Sequence, residues 1–224
     1  MGGLRDLTFE SWLEHAFGHE VRFQRPEWFF DIDAPWWDPQ PPTAIDFLAR
    51  LFHRPCVLTE RYSDAQIAQG LTYLLATTAT GDHGWFSSRD VPLAARRDCI
   101  AASFNLFADA FQPRCAAVLG HLNTSQGGPL NTVAYMFWDA FPCVALPEDP
   151  HRLELQLETV AVMERILSLD SIACVESALH GLGHAHAVQP GQVEQIIDRY
   201  IASGKCAGTE LAAYARAARG GCVL

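Results

Sequence analysis

The chain has 224 residues, 49% of them apolar, with 26 acidic against 16 basic side chains and a formal charge of −10. That apolar content suits one folded domain and excludes a disordered chain, while the acidity excludes nucleic acid as a partner, because binding it demands a basic face. No apolar run reaches the roughly 18 residues that would cross a membrane.

Thr8 to Phe17 reads as a short amphipathic helix, with Phe9, Trp12, Leu13 and Phe17 on one face. Residues 26–42, PEWFFDIDAPWWDPQPP, are different. Prolines 26, 35, 39, 41 and 42 forbid a helix through the segment, so it is expected as an extended loop. The acidity is concentrated around it, since the first 49 residues hold nine acids and three arginines. Residues 43–52 form the next expected helix. Ser63-Asp64-Ala65-Gln66 is a capping box that opens another through Leu75. Residues 77–90 form a loop around Asp82 and His83. Asp90 then caps, and Pro92 begins, a long helix to Phe111, with a short helix expected after Pro113 as far as His121.

Gly127-Gly128-Pro129 is a break, and Asn131 is expected to cap a helix through Phe141. In that helix Asp139 stands beside the aromatic run Tyr135-Met136-Phe137-Trp138. Residues 142–150 connect to a helix over 151–169. Ser171 caps a further helix in which Ile172, Val175, Leu179, Leu182 and His186 form an apolar-sided stripe. Gln189-Pro190-Gly191 turns the chain into a helix ending near Gly204, and Thr209 caps a last one through Arg219.

The resulting expectation is an all-α single domain of about nine or ten helices in antiparallel pairs. Residues 1–42 hold the first helix and the acidic aromatic loop, and residues 43–224 hold the helical core. Stretches 43–76, 92–122 and 151–203 each read as a pair. The seven cysteines are scattered without a CxxC pair, which points to reduced thiols. The first residues lack the basic and apolar regions of a secretory signal. Together these suggest a cytoplasmic protein.

Two stretches are candidates for function. The first is the loop residues Trp28, Phe29, Phe30, Asp31, Asp33, Trp36, Trp37 and Asp38. Aromatic side chains supply binding energy at interfaces, and the surrounding carboxylates would orient a basic protein partner. The same aromatics could instead close inward as a lid. The second is the helix 171–186. There Glu176, His180 and His184 succeed one another at four-residue spacing and stack on one flank, with His186 close by. Two histidines at that spacing chelate a transition metal such as zinc or iron, with Glu176 adding an oxygen and His186 or His83 completing the set. Alternatively, Gly181 and Gly183 admit a neighbouring helix and the histidines hydrogen-bond across the contact. No GxSxG elbow or phosphate-binding fingerprint is present, and Cys174 sits among apolar residues as a packing thiol.

The 171–203 hairpin, two apolar-faced helices about a proline-containing turn, resembles a unit of the HEAT-like helical repeats. That resemblance implies a curved stack of helix pairs with a concave surface for macromolecules. In its small, acidic, all-helical style the chain is also similar to bacterial toxin-immunity proteins, without a shared motif. The reading is therefore a scaffold or inhibitor-type protein that captures a protein partner and needs no cofactor. The alternative is a metal-dependent enzyme or metal-binding protein with one transition metal on the 171–186 helix.

Overall fold

Three helices begin where a hydroxyl side chain can satisfy an otherwise orphaned backbone N–H. Thr8 accepts from the amide of Ser11 at 3.2 Å, Ser171 from that of Cys174 at 3.4 Å, and Ser63 from that of Gln66 at 3.3 Å. The Gln66 side chain returns the bond to the Ser63 amide at 3.2 Å, completing the box expected there.

A computed structural model describes residues 4–21, 27–79, 84–122, 126–141 and 149–223. Among them are eleven helices and no strand. These are α1 (Phe9–Phe17), α2 (Pro41–His53), α3 (Cys56–Thr59), α4 (Asp64–Ala79), α5 (Gly84–Ser87), α6 (Leu93–Asn105), α7 (Pro129–Ala140), α8 (Arg152–Ile166), α9 (Ile172–Ala185), α10 (Pro190–Ala202) and α11 (Glu210–Arg219). The protein is all-α, and the two four-residue helices α3 and α5 are the additions to the nine longer elements. Met1–Gly3, Pro26, Asp82, His83, Asn123, Ser125, Cys143 and most of the 142–150 connection lie outside the described residues.

Several boundaries move for local reasons. Helix α2 begins at Pro41, since proline suits the first turn. Helix α6 starts after Pro92 rather than on an Asp90 cap, and runs on through a wider π-helical turn, Leu106–Phe111. The short helix expected up to His121 is a single 3₁₀ turn, Gly120–Leu122. Asn131 is not the N-cap of α7, which is Gly128. Its side chain instead accepts from the amides of Gly128 (3.2 Å) and Ala116 (3.0 Å) and donates to the Ala116 carbonyl (2.9 Å). That pins the start of α7 to the chain just before the 3₁₀ turn.

One apolar cluster runs from Trp12 of α1 to Ala218 of α11. Helix α2 packs on α6, α4 on α7 and α1, and α6 on α8. Helix α9 is enclosed by α7, α8, α10 and α11. The sequence pattern suggests a stripe on α9, yet every residue from Ala173 to Gly183 is buried. Small residues let this happen. A methyl group at Gly181 would stand 2.6 Å from Trp138 Cγ of α7, and one at Gly183 would meet Val223. The glycines thus admit close neighbours, as one of the two readings of this helix required.

The acidic aromatic loop divides in two. Trp37 is 2% exposed, lies parallel to Phe47 at 5.9 Å, and its amide donates to the Tyr73 hydroxyl at 3.0 Å. A short bridge holds the loop in place: the Leu4 amide donates to the Trp36 carbonyl (2.8 Å) and the Asp38 amide to the Leu4 carbonyl (3.0 Å). Trp28 and Phe29 are half-buried against Tyr73, and Trp28 stacks on His19 at 4.0 Å. Phe30, Ile32 and Trp36 point outward, 70%, 96% and 64% exposed.

Candidate metal centre

Burying α9 from Ala173 to Gly183 forces the polar residues there to find partners, because an unpaired buried polar group costs about 1–3 kcal/mol. Ser177 donates to the Ala134 carbonyl of α7. Glu176, 1% exposed, turns to the 3₁₀ turn. Its carboxylate accepts from the amides of Gly120 (2.5 Å) and His121 (3.1 Å) and pairs with His121 Nδ1 (2.5 Å). Glu176 is therefore not brought to the two histidines that follow it. His186 lies apart as well, with its Nε2 3.3 Å from Glu194 of α10.

His180 and His184 do converge, and the third donor comes from α7. His180 Nε2 is 3.0 Å from His184 Nε2 and 3.1 Å from Asp139 Oδ1. His184 Nε2 is 2.8 Å from the same Oδ1. Three ligand-type atoms on two helices thus form a near-equilateral triangle. Among the described residues this is the group of His, Cys, Asp and Glu donors placed to hold a metal ion.

Hydrogen bonds alone cannot satisfy all three edges of that triangle. A carboxylate oxygen supplies no proton, and each neutral imidazole supplies one. If both Nε2 atoms carry hydrogen, each can donate to the Asp139 carboxylate, His184 to Oδ1 at 2.8 Å and His180 to Oδ1 or Oδ2 at 3.1 Å, and only the 3.0 Å edge between the two nitrogens holds no hydrogen bond. If only one does, the other presents its lone pair to Oδ1, across 2.8 Å where it is His184. A cation between the atoms makes every edge favourable. With bonds of about 2.1 Å, donors at right angles lie about 3.0 Å apart, against about 3.4 Å for tetrahedral neighbours. The observed 2.8–3.1 Å matches the right-angled set.

The triangle opens to solvent on one side. The side chains of Asp139 and His184 are 27% and 38% exposed, while His180 is 1% exposed. Burial on its own would raise the Asp139 carboxyl. Its hydrogen bonds to both histidines and their nearby charge outweigh that and leave it below the ordinary value.

Behind the triangle is a layer of rings. His180 Nδ1 is 2.8 Å from the Tyr214 hydroxyl of α11, which is 3.2 Å from the Tyr135 hydroxyl of α7. The ring of Tyr135 lies against His180 (4.5 Å), and that of His121 stacks on Tyr214 (4.5 Å, 21°). Burial raises the Tyr214 hydroxyl far above its ordinary value, assisted by the bond to Tyr135, so Tyr214 stays a neutral phenol. Cys174 and Cys115 take no part. Burial pushes their thiols up to about 11 and about 12, which is the behaviour of packing cysteines.

Sequence reasoning named His180 and His184, which the fold brings together, and did not name Asp139, Tyr214 or His121 as candidates beside them. A signal existed for Asp139: it is the only charged residue in α7, within an otherwise aromatic and apolar run. Tyr214 carried none, being one ring in an alanine-rich helix 34 residues beyond its partner. The chain matches no protein-family model, no curated protein and no solved structure.

Proposed function

We propose that this protein is a metal-dependent enzyme whose ion is held by Asp139, His180 and His184. The observation that carries the reading is the triangle of three ligand-type atoms 2.8–3.1 Å apart, two of them imidazole nitrogens that approach each other to 3.0 Å beside one carboxylate oxygen. Two histidines and a carboxylate on one side of an ion leave its other positions open, as catalytic rather than structural sites do. The near-right-angled spacing favours a six-coordinate ion such as iron(II) over tetrahedral zinc. The exposed edges of Asp139 and His184 give a substrate access to the open positions. Elemental analysis of protein purified without a histidine tag, followed by titration with iron(II), cobalt(II) and zinc(II), tests this. One ion per chain is expected, lost in Asp139→Asn and His184→Ala. A folded wild-type protein that retains none of the three ions at micromolar concentration overturns the reading.

A second reading is favoured by a separate observation. Phe30, Ile32 and Trp36 expose large apolar surfaces among Asp31, Asp33 and Asp38, with Asp38 also pairing with Arg5 at 2.9 Å. Such a patch suits a basic protein partner, with apolar contacts at its centre and charge at its rim. Reversing the charge at Asp31 and Asp33 is expected to weaken capture of that partner and flatten its salt dependence. Unchanged affinity would remove the loop from the contact.

A further inference from the structure

We infer that Tyr214 is a positioning residue for the metal centre: its hydroxyl holds His180 with Nε2 toward the ion, and His121, paired with the buried Glu176, holds Tyr214 in turn. The inference rests on the metal reading of Asp139, His180 and His184 and extends it to two further layers of side chains.

The His180 ring is buried, so both nitrogens must be satisfied within the protein. Nε2 belongs to the triangle, and Nδ1 has the Tyr214 hydroxyl at 2.8 Å. A neutral imidazole carries one hydrogen. When Nε2 gives its lone pair to a cation, that hydrogen sits on Nδ1 and needs an acceptor. The hydroxyl accepts it and passes its own hydrogen toward the Tyr135 oxygen at 3.2 Å. Without the ion the direction can reverse. His180 Nε2–H then donates to Asp139, and the Tyr214 hydroxyl donates to Nδ1. A phenol serves both arrangements because it can donate or accept, whereas a carboxylate in its place could only accept. The ion polarises the imidazole and makes Nδ1–H the stronger donor, so the bond to Tyr214 is worth most when the site is loaded.

The bond is useful only if Tyr214 cannot swing away, and this gives Glu176 a role. Its carboxylate gathers two backbone amides and His121 Nδ1, which locks the imidazole of His121 in one plane. The His121 and Tyr214 ring centroids are 4.5 Å apart, with 21° between the ring planes. The residue that sequence spacing offered as a ligand acts from behind the site, through His121 and Tyr214.

Tyr214→Phe keeps the ring and its stacking and removes only the oxygen. Cobalt(II) affinity, measured by competition against a chelating dye, is expected to fall about 10–100-fold at an unchanged one-to-one stoichiometry. In the wild type, long-range proton–nitrogen spectra of the zinc-loaded protein should show His180 protonated at Nδ1 and coordinated at Nε2. A Tyr214→Phe protein that binds cobalt(II) within twofold of the wild type overturns the role of Tyr214 alone. A wild-type spectrum with His180 coordinated through Nδ1 does the same without any variant. Failure of the wild type to bind either ion overturns the metal reading itself and this inference with it.

Discussion

Gly181→Ala puts one methyl group at the contact of α9 with α7. On an exposed helix this change stabilises by about 1 kcal/mol, because glycine loses more backbone entropy on folding than alanine. Here the new Cβ would lie 2.6 Å from Trp138 Cγ and 2.8 Å from Trp138 Cβ. Both are atoms at the root of a side chain that is 2% exposed and cannot turn aside. Overpacking of this kind costs about 1–3 kcal/mol, and the rigidity of the neighbour places it at the upper end. The difference is a net loss of about 2 kcal/mol. For a chain of this size that is roughly 4–8 °C in Tm. Trp138 adjoins Asp139, so moving α7 outward also draws Asp139 away from the two histidines. Chemical denaturation of the variant beside Gly191→Ala provides the measurement. Gly191 is in α10 with nothing within 4 Å of an added methyl. It is expected to be neutral or stabilised by up to about 1 kcal/mol. A Gly181→Ala protein as stable as the wild type, with cobalt(II) affinity unchanged, would refute the close-packing account of this helix pair.

Other expectations concern separate parts of the molecule. Arg96 and Asp149 form a buried ion pair at 2.6 Å, with Arg96 also donating to the Phe86 carbonyl at 2.7 Å. Asp149→Ala leaves an unpaired buried guanidinium and should cost about 3–5 kcal/mol in urea denaturation. Trp37→Ala should cost about 3–5 kcal/mol by cavity formation, and Trp36→Ala less than about 0.5 kcal/mol. Equal losses would contradict the division of the loop into an inward and an outward half. Burial, and for His15 also the proximity of His19, hold both imidazoles below their ordinary value of 6.5. As pH falls below about 6.5 the unfolded chain therefore takes protons before the folded one, and stability is lost. The drop in Tm between pH 7.5 and pH 5.5 should shrink in a His15→Gln, His19→Gln protein. An equal drop would place the acid sensitivity elsewhere.

The local architecture can be read from the order of the amino acids. Helical periodicity, the capping side chains of Ser63 and Ser171, and the proline and glycine breaks are short-range effects, legible without a fold. They gave the all-helical class and the face shared by His180 and His184, because four-residue spacing sets direction on a helix whatever surrounds it. Tertiary structure alone decided which of those side chains meet. Asp139 reaches His180 across 41 residues and Tyr214 across 34, contacts that depend on how α7 and α11 pack on α9. Glu176 has the same periodic warrant as the histidines. Yet it lies one turn earlier, where the 3₁₀ turn at Gly120–Leu122 offers two amides and an imidazole, and a buried carboxylate is held by the donors that satisfy it. The loop of residues 27–38 follows the same logic. Composition marks it as aromatic and acidic, but whether a tryptophan is core or surface depends on what stands opposite it. Trp37 meets Phe47 and Tyr73, and Trp36, one residue away on an extended chain, faces water.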